Sequence, residues 1–114
     1  METTDAVTAL AALAQDNRLD VFRLLVQAGP GGMAAGAIAE ALDIAPNTLT
    51  FHFDQLQMAS LATIQREDRS IIYAARFETM NELVGFLTEN CCGGTSCAPA
   101  AACKPARKRS KIPA

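Results

Sequence analysis

The stretch AGAIAEALDIAPNTLTFHFDQLQMA, residues 35–59, carries two helical apolar patterns back to back. In its first part Ile38, Ala39 and Leu42 share a face, although no Ser, Thr or Asp stands where a cap belongs. Asp43-Ile44-Ala45 reads as a short turn. Pro46 suits the first position of a new helix, because its missing N–H is one the helix would leave unbonded anyway. From Pro46 to about Ala59, the residues Leu49, His52, Phe53, Leu56 and Ala59 fall at i, i+3, i+4, i+7 and i+10, one face of a helix. Two short helices joined by so brief a turn make a helix-turn-helix unit.

Working outward, Val7, Leu10, Leu13 and Ala14 recur at helical spacing and predict a first helix of about ten residues, closed by the polar turn Gln15-Asp16-Asn17. Leu19, Phe22, Leu25 and Val26 repeat the spacing up to Gly29-Pro30-Gly31-Gly32, which no helix interior tolerates. On the C-terminal side, Leu61 to Gln65 and Ser70 to Ala75 are rich in Ile, Thr and Tyr and flank Arg66-Glu67-Asp68-Arg69, the pattern of a β-hairpin with a polar tip. Met80, Leu83, Val84 and Leu87 then mark a last helix from about Glu78 to Cys92, ended by Gly93-Gly94. The fold class is therefore mainly α with a small β-hairpin, a winged helix-turn-helix. Residues 1–92 form the folded domain and 93–114 a flexible, cysteine-containing basic tail.

The face of the Pro46 helix opposite its apolar stripe carries Asn47, Thr48, Phe51, Asp54, Gln55 and Met58. Short amide and hydroxyl side chains near a helix N-terminus suit hydrogen bonds to base edges in a major groove, and an exposed Phe meets a thymine methyl. A plain amphipathic helix with a solvated polar face has the same periodicity. What separates the two readings is the order of elements, since a hairpin with arginines at its tip matches a generic helical bundle poorly. Arg66 and Arg69 either reach DNA phosphates or a minor groove, or form a solvated loop with Glu67 and Asp68. His52 is the only histidine, and its place among Leu49, Phe53 and Leu56 favours a half-buried ring bonded to backbone or phosphate over a metal ligand.

Composition bounds the rest. A chain of 114 residues holds one small core, and five Phe, one Tyr and no Trp leave that core modest, so pairing with a second copy is expected. No apolar run approaches membrane-spanning length and the N-terminus carries no secretory pattern, which predicts a cytoplasmic protein without membrane contact. The net charge of -2 hides a segregation. Residues 1–90 hold all 12 acidic residues against five arginines, a net -7, while the other five basic residues lie between Lys104 and Lys111. An acidic body is no nonspecific DNA coat, because neutralising phosphates takes clustered Lys and Arg. The basic segment KPARKRSK either adds phosphate contacts or keeps the chain soluble.

All four cysteines, Cys91, Cys92, Cys97 and Cys103, fall within 13 residues, which favours metal or redox chemistry over a disulfide framework. Cys91 continues the apolar face of Val84 and Leu87, and Cys92 is turned about 100° from it. Gly93-Gly94 lets the chain fold back so that Cys97 joins the pair, and three thiolates then converge on one soft ion. Structural zinc favours cysteine pairs two to four residues apart and four closed ligands, which these spacings do not provide. An exposed, redox-labile tail or a Cys97 to Cys103 disulfide is the bland alternative.

Taken together, residues 10 to 92 resemble the arsenical-resistance repressor (ArsR) family of dimeric winged-helix transcription regulators. The matching residues are Asp16-Asn17-Arg18-Leu19, Ile38-Ala39-Glu40-Ala41-Leu42, Thr48-Leu49-Thr50-Phe51-His52-Phe53-Asp54-Gln55-Leu56, and Ala59-Ser60-Leu61 through Arg69-Ser70-Ile71-Ile72-Tyr73. The resemblance implies that Asn47, Thr48, Thr50 and Phe51 face operator DNA, with Gln55 on the same surface. It also implies that Arg66 and Arg69 form the wing, and that the first and last helices make a homodimer. The family usually has Ser at Thr50, Leu at Phe53 and Gly at Ser60; the last departure predicts a turn that avoids positive φ. Many arsenic-responsive members carry cysteines in the helix before the reading helix, whereas Ile38 to Ile44 has none, so a sensor must lie elsewhere.

Some arsenic-responsive members place a Cys-Cys pair at the end of the last helix, as this chain does. The inducer implied is trivalent arsenic, as arsenite or methylarsenite, with antimonite a further candidate, held by Cys91, Cys92 and Cys97. Trivalent arsenic takes three sulfurs in a pyramid. The expected function is an arsenite-responsive repressor without catalytic residues, not an enzyme. Its rivals are a winged-helix regulator answering another soft metal or thiol oxidation, a thiol-based metal carrier or redox enzyme without DNA binding, and a winged-helix protein-interaction module.

Overall fold

The computed structural model describes residues 1–94. Five helices, α1 (Thr3–Leu13), α2 (Asp16–Ala28), α3 (Ala35–Leu42), α4 (Pro46–Met58) and α5 (Phe77–Thr88), enclose a small sheet of β1 (Met33–Ala34), β2 (Ala62–Glu67) and β3 (Ser70–Ala75). The strands run antiparallel in the order β1-β3-β2. This is the expected winged helix-turn-helix, with one strand more than the sequence pattern suggested. Strand β1 escapes a periodicity search because two residues carry no period; it pairs Met33 with Tyr73 and Ala34 with Ile72. It is possible only because Gly32 precedes it at φ +73, where an added Cβ would run into the Tyr73 carbonyl oxygen.

The helix-turn-helix forms as its sequence demands. Helix α3 starts without a side-chain cap and ends on Asp43 in the left-handed region at φ 54. There Ile44 N–H donates to the Ala39 carbonyl at 2.9 Å and Asp43 N–H to that of Glu40 at 3.3 Å, a Schellman closure. Pro46 opens α4. The other end of α4 closes the same way, with Leu61 N–H on the Leu56 carbonyl and Ser60 N–H on that of Gln57, both at 2.9 Å. Ser60 sits at φ 63, so this turn does not avoid positive φ; it holds a serine where glycine would be unstrained.

The polar turn Gln15-Asp16-Asn17 is in fact the start of α2. The Gln15 side-chain oxygen accepts the Arg18 N–H at 2.9 Å, and Arg18 Nε donates to the Ala12 carbonyl at 2.6 Å, setting a cation on the C-terminal end of α1. Within α1 the buried members are the small residues Ala6 and Ala9, while Val7 and Leu10 point outward. In the hairpin the ladder extends through Arg66 and Glu67, leaving Asp68-Arg69 as the turn, with Asp68 at φ 55.

The core gathers Val21, Leu25, Ile38, Leu49, Phe53, Leu56 and Leu61, all with almost no exposed surface. The Phe53 ring lies flat on that of Tyr73, centroids 3.6 Å apart and planes 6° apart, which locks α4 to the sheet.

The last helix is shorter than its sequence pattern. It stops at Thr88 rather than Cys92, Asn90 takes φ 57, and Cys91–Gly94 form a separate turn with Cys92 at φ 57 and Gly93 at φ 68. Asn tolerates the left-handed region and ends helices there. Cys91 therefore does not continue the Val84 and Leu87 face. No described helix is long and apolar enough to cross a membrane.

Candidate nucleic-acid interface

Helix α4 divides into two faces. Leu49, His52, Phe53 and Leu56 turn inward against α1, α2 and β2, and Asn47, Thr48, Thr50 and Phe51 turn outward. Phe51 is 58% exposed, a large apolar ring held out by a helix whose inner face is full. Gln55 is half-buried at the C-terminal margin of the same surface. The Thr50 hydroxyl donates back to the Pro46 carbonyl at 3.0 Å, leaving its oxygen as an acceptor; the i, i−4 spacing of a helical threonine was the signal for this. Ala45 gives α4 no side-chain cap and Pro46 has no N–H, so the N–H groups of Asn47 and Thr48 point from the helix start without a capping acceptor.

Arg66 and Arg69 are exposed beside the hairpin turn. Among the described residues the ion pair is Arg76 with Glu78 at 3.6 Å, so the two hairpin guanidiniums are not held by Glu67 or Asp68. Exposed and without an ion pair, both arginines remain open to solvent or to a phosphate. The hairpin is tied to α4 through Phe53 on Tyr73, which fixes the arginines relative to the outward face.

His52 is buried, 8% exposed, with its ring edge-on to Phe51 at 5.5 Å. Its Nδ1 has no hydrogen-bond partner among the described residues, so the expected bond to backbone is not made at that nitrogen. Burial, and secondarily the positive charge of Arg18, hold its pKa below the ordinary 6.5. The neutral imidazole is therefore favoured, and the ring belongs to the inner face of α4. Arg18, which the sequence marked only as part of a family pattern, proves to be a cation set near the middle of α4.

Cys91 and Cys92 are exposed at the far end of α5. Cys92 is disulfide-bonded, so a thiolate site there requires that bond to be reduced. Cys97 and Cys103 lie outside the described residues. Among the described residues no group of three or more His, Cys, Asp or Glu side chains converges. Cys91 and Cys92 are thus adjacent at one end, and the outward face of α4 with Arg66 and Arg69 forms a separate surface.

Comparison with known proteins bears on the second surface. Residues 13–65 match the family described as a helix-turn-helix domain. No curated protein sequence matches the chain significantly. Among solved structures, an ArsR-like transcriptional regulator from Rhodococcus superposes with TM-score 0.65 at 23% identity over 74% of this chain and 76% of its own. HlyU from Vibrio cholerae gives 0.61 at 25% identity, over 76% of this chain and 97% of its own. A homodimeric winged helix-turn-helix DNA-binding domain from Mycobacterium bovis gives 0.62 at 23%, over 76% and 81%. Residues 13–65 thus match a helix-turn-helix domain, and the chain shares its winged helix-turn-helix fold with these solved regulators.

Proposed function

We propose that the chain is a homodimeric transcriptional repressor that reads operator DNA with Asn47, Thr48, Thr50, Phe51 and Gln55 and braces it with Arg66 and Arg69. The observation that carries this reading is the outward face of α4: polar groups and one Phe presented together, beside two unpaired arginines on a hairpin anchored to the same helix. A helix so presented fits a major groove, and arginines at a wing fit the flanking backbone. Dimerisation through α1 and α5 is supported by Val7, Leu10, Val84 and Leu87, apolar and 42–59% exposed in the single chain. One fold relative is itself a homodimer.

The inducer we propose is trivalent arsenic, as arsenite or methylarsenite, with antimonite as a chemical analogue, bound by Cys91, Cys92 and Cys97. Adjacent thiols plus a third five residues on suit a pyramidal trithiolate, and soft sulfur selects soft ions. Because the pair follows α5 directly, drawing it around an ion alters how two α5 helices meet, and with that the spacing of two reading helices that must span about 34 Å. A coupling of about 1 to 3 kcal/mol lowers operator affinity roughly 5- to 150-fold. The disulfide at Cys92 favours one second reading, a regulator answering thiol oxidation at the same cysteines.

A gel shift with the DNA upstream of its own gene tests both levels, run on reduced protein with and without arsenite and on protein oxidised with diamide. Release by arsenite supports the ion sensor, release by diamide alone supports the redox reading, and binding indifferent to both leaves a regulator without either sensor. Absence of specific binding at any salt would contradict the regulator itself.

A further inference from the structure

Helix α5 packs on α1, and between α5 and α2 the chain leaves an apolar cleft of about 340 Å³. Its floor is made by the buried side chains of Phe22, Leu61 and Leu83. Its sides include Leu19 and Val84, which are 43% and 54% exposed. Apolar groups left open around a cleft that reaches the core are wetted at a cost that a matching apolar body removes. Ligand pockets run from about 300 to 1,000 Å³, so this volume suits a small molecule. Two polar residues complete the lining, Arg23 and Gln27, one turn apart on the same face of α2. Both are exposed, while the inner surface of the cleft is almost wholly apolar. Their aliphatic stems therefore form part of the wall, and their polar heads stand at the mouth.

Among the described residues Arg23 is the only charge in this lining, on a body whose residues 1–90 carry a net -7. Asp20 lies one turn before it, yet the ion pair among the described residues is Arg76 with Glu78, so no carboxylate of the chain holds the Arg23 guanidinium. A guanidinium offers a carboxylate two parallel N–H donors, and the Gln27 amide adds another beside it. We propose that the cleft between α2 and α5 binds an apolar monocarboxylate, its hydrocarbon body on Phe22, Leu61 and Leu83 and its carboxylate on Arg23 and Gln27. The apolar body supplies affinity, and the single cation at the mouth selects an anionic head over a neutral or cationic one. The site is distinct from the outward face of α4 and from Cys91 and Cys92, and it stands whether or not the chain reads DNA. Val84 also belongs to the surface proposed above for dimerisation, so a second copy is the rival occupant that a test has to separate.

The test is a set of amide-shift titrations of the full chain by two-dimensional NMR, with octanoate as the probe and octanol and octyltrimethylammonium as its neutral and cationic counterparts. Octanoate should saturate a single site per protomer, with the shifts gathered on α2 and α5 around the cleft. Losing one charge-assisted contact weakens binding about 10-fold, so octanol should bind about 10-fold less tightly than octanoate and octyltrimethylammonium more weakly still. Arg23→Gln changes an exposed residue and should keep the parent's melting curve. It should lower octanoate affinity about 10-fold and leave octanol affinity as it was. Failure of octanoate to saturate by about 10 mM, shifts centred away from α2 and α5, or equal octanoate affinity in the parent and Arg23→Gln would each overturn the proposal. Octanol binding as tightly as octanoate overturns the carboxylate as the recognised group. The rival occupant is separated with Leu87→Glu, placed on the exposed α5 surface outside the cleft lining. If octanoate binds this variant but not the parent, at a concentration where sedimentation shows the parent alone to be dimeric, the cleft belongs to the second copy and the proposal fails.

Discussion

The helix-turn-helix and the two terminal helices use the same apolar periodicity with opposite results. In α4 the periodic residues Leu49, Phe53 and Leu56 are buried to within about 2%. In α1 and α5 four of the periodic residues, Val7, Leu10, Val84 and Leu87, stand in solvent, and burial falls to Ala6 and Ala9 beside them and to Leu83 of the α5 stripe. A stripe that is filled by its own chain defines a core, whereas the stripe left bare on two neighbouring helices is the surface proposed above for a second copy. The middle of the molecule should therefore break by unfolding and the ends by dissociation.

The comparison is broken most severely at Phe53. Phe53→Ala removes the ring stacked on Tyr73 and leaves a void between α4 and the sheet, and should cost about 4 kcal/mol in chemical denaturation. Next comes Gly32→Ala, which forces a side chain into left-handed backbone and against the Tyr73 carbonyl; a loss of about 3 kcal/mol is expected, with the β1 pairing weakened in amide exchange. Leu87→Glu acts at the other region. It should weaken self-association about 100-fold in sedimentation while leaving the thermal transition of the monomer nearly unmoved, because Leu87 is 59% exposed.

A pH series sharpens the distinction further. His52 is held below its ordinary pKa of 6.5, so the folded chain takes up a proton less readily than the unfolded one. Its contribution is full above 6.5 and declines as pH falls through 6.5 toward the folded value. Melting temperature should therefore drop between pH 7 and pH 5 more in the parent than in His52→Leu, whereas the Leu87 variant keeps the parent's pH profile. Smallest is Ser60→Gly, which relieves positive φ at the α4 closure and should stabilise by about 1 kcal/mol.

What was legible in the sequence follows the same division. Helices α3 and α4, their turn and the hairpin were readable because Pro46, the Ala-rich run and the β-branched strands each act locally. Strand β1 was not, since a two-residue strand exists only through its partner β3. The end of α5 was misread because Val84, Leu87 and Cys91 keep helical spacing while Asn90 has already left the helix, and spacing does not register a left-handed residue. The outward Asn47, Thr48 and Phe51 were legible as the complement of a well-marked apolar stripe, and Thr50 only through the family resemblance. The positive φ at Ser60 was missed by reading a departure from glycine as a departure from glycine's conformation.

The DNA-reading role proposed for the outward face of α4 rests on a preference for one duplex over another. Its most direct measurement compares the parent with Asn47→Ala/Thr48→Ala in anisotropy titrations on the upstream duplex and on a scrambled duplex of equal length, after sedimentation has shown both proteins to be equally dimeric. The account predicts that the parent prefers the upstream duplex and that the double variant loses most of that preference, by roughly 30-fold or more, while binding the scrambled duplex as before. A variant that keeps the full preference would contradict the account and move the reading surface elsewhere on the fold.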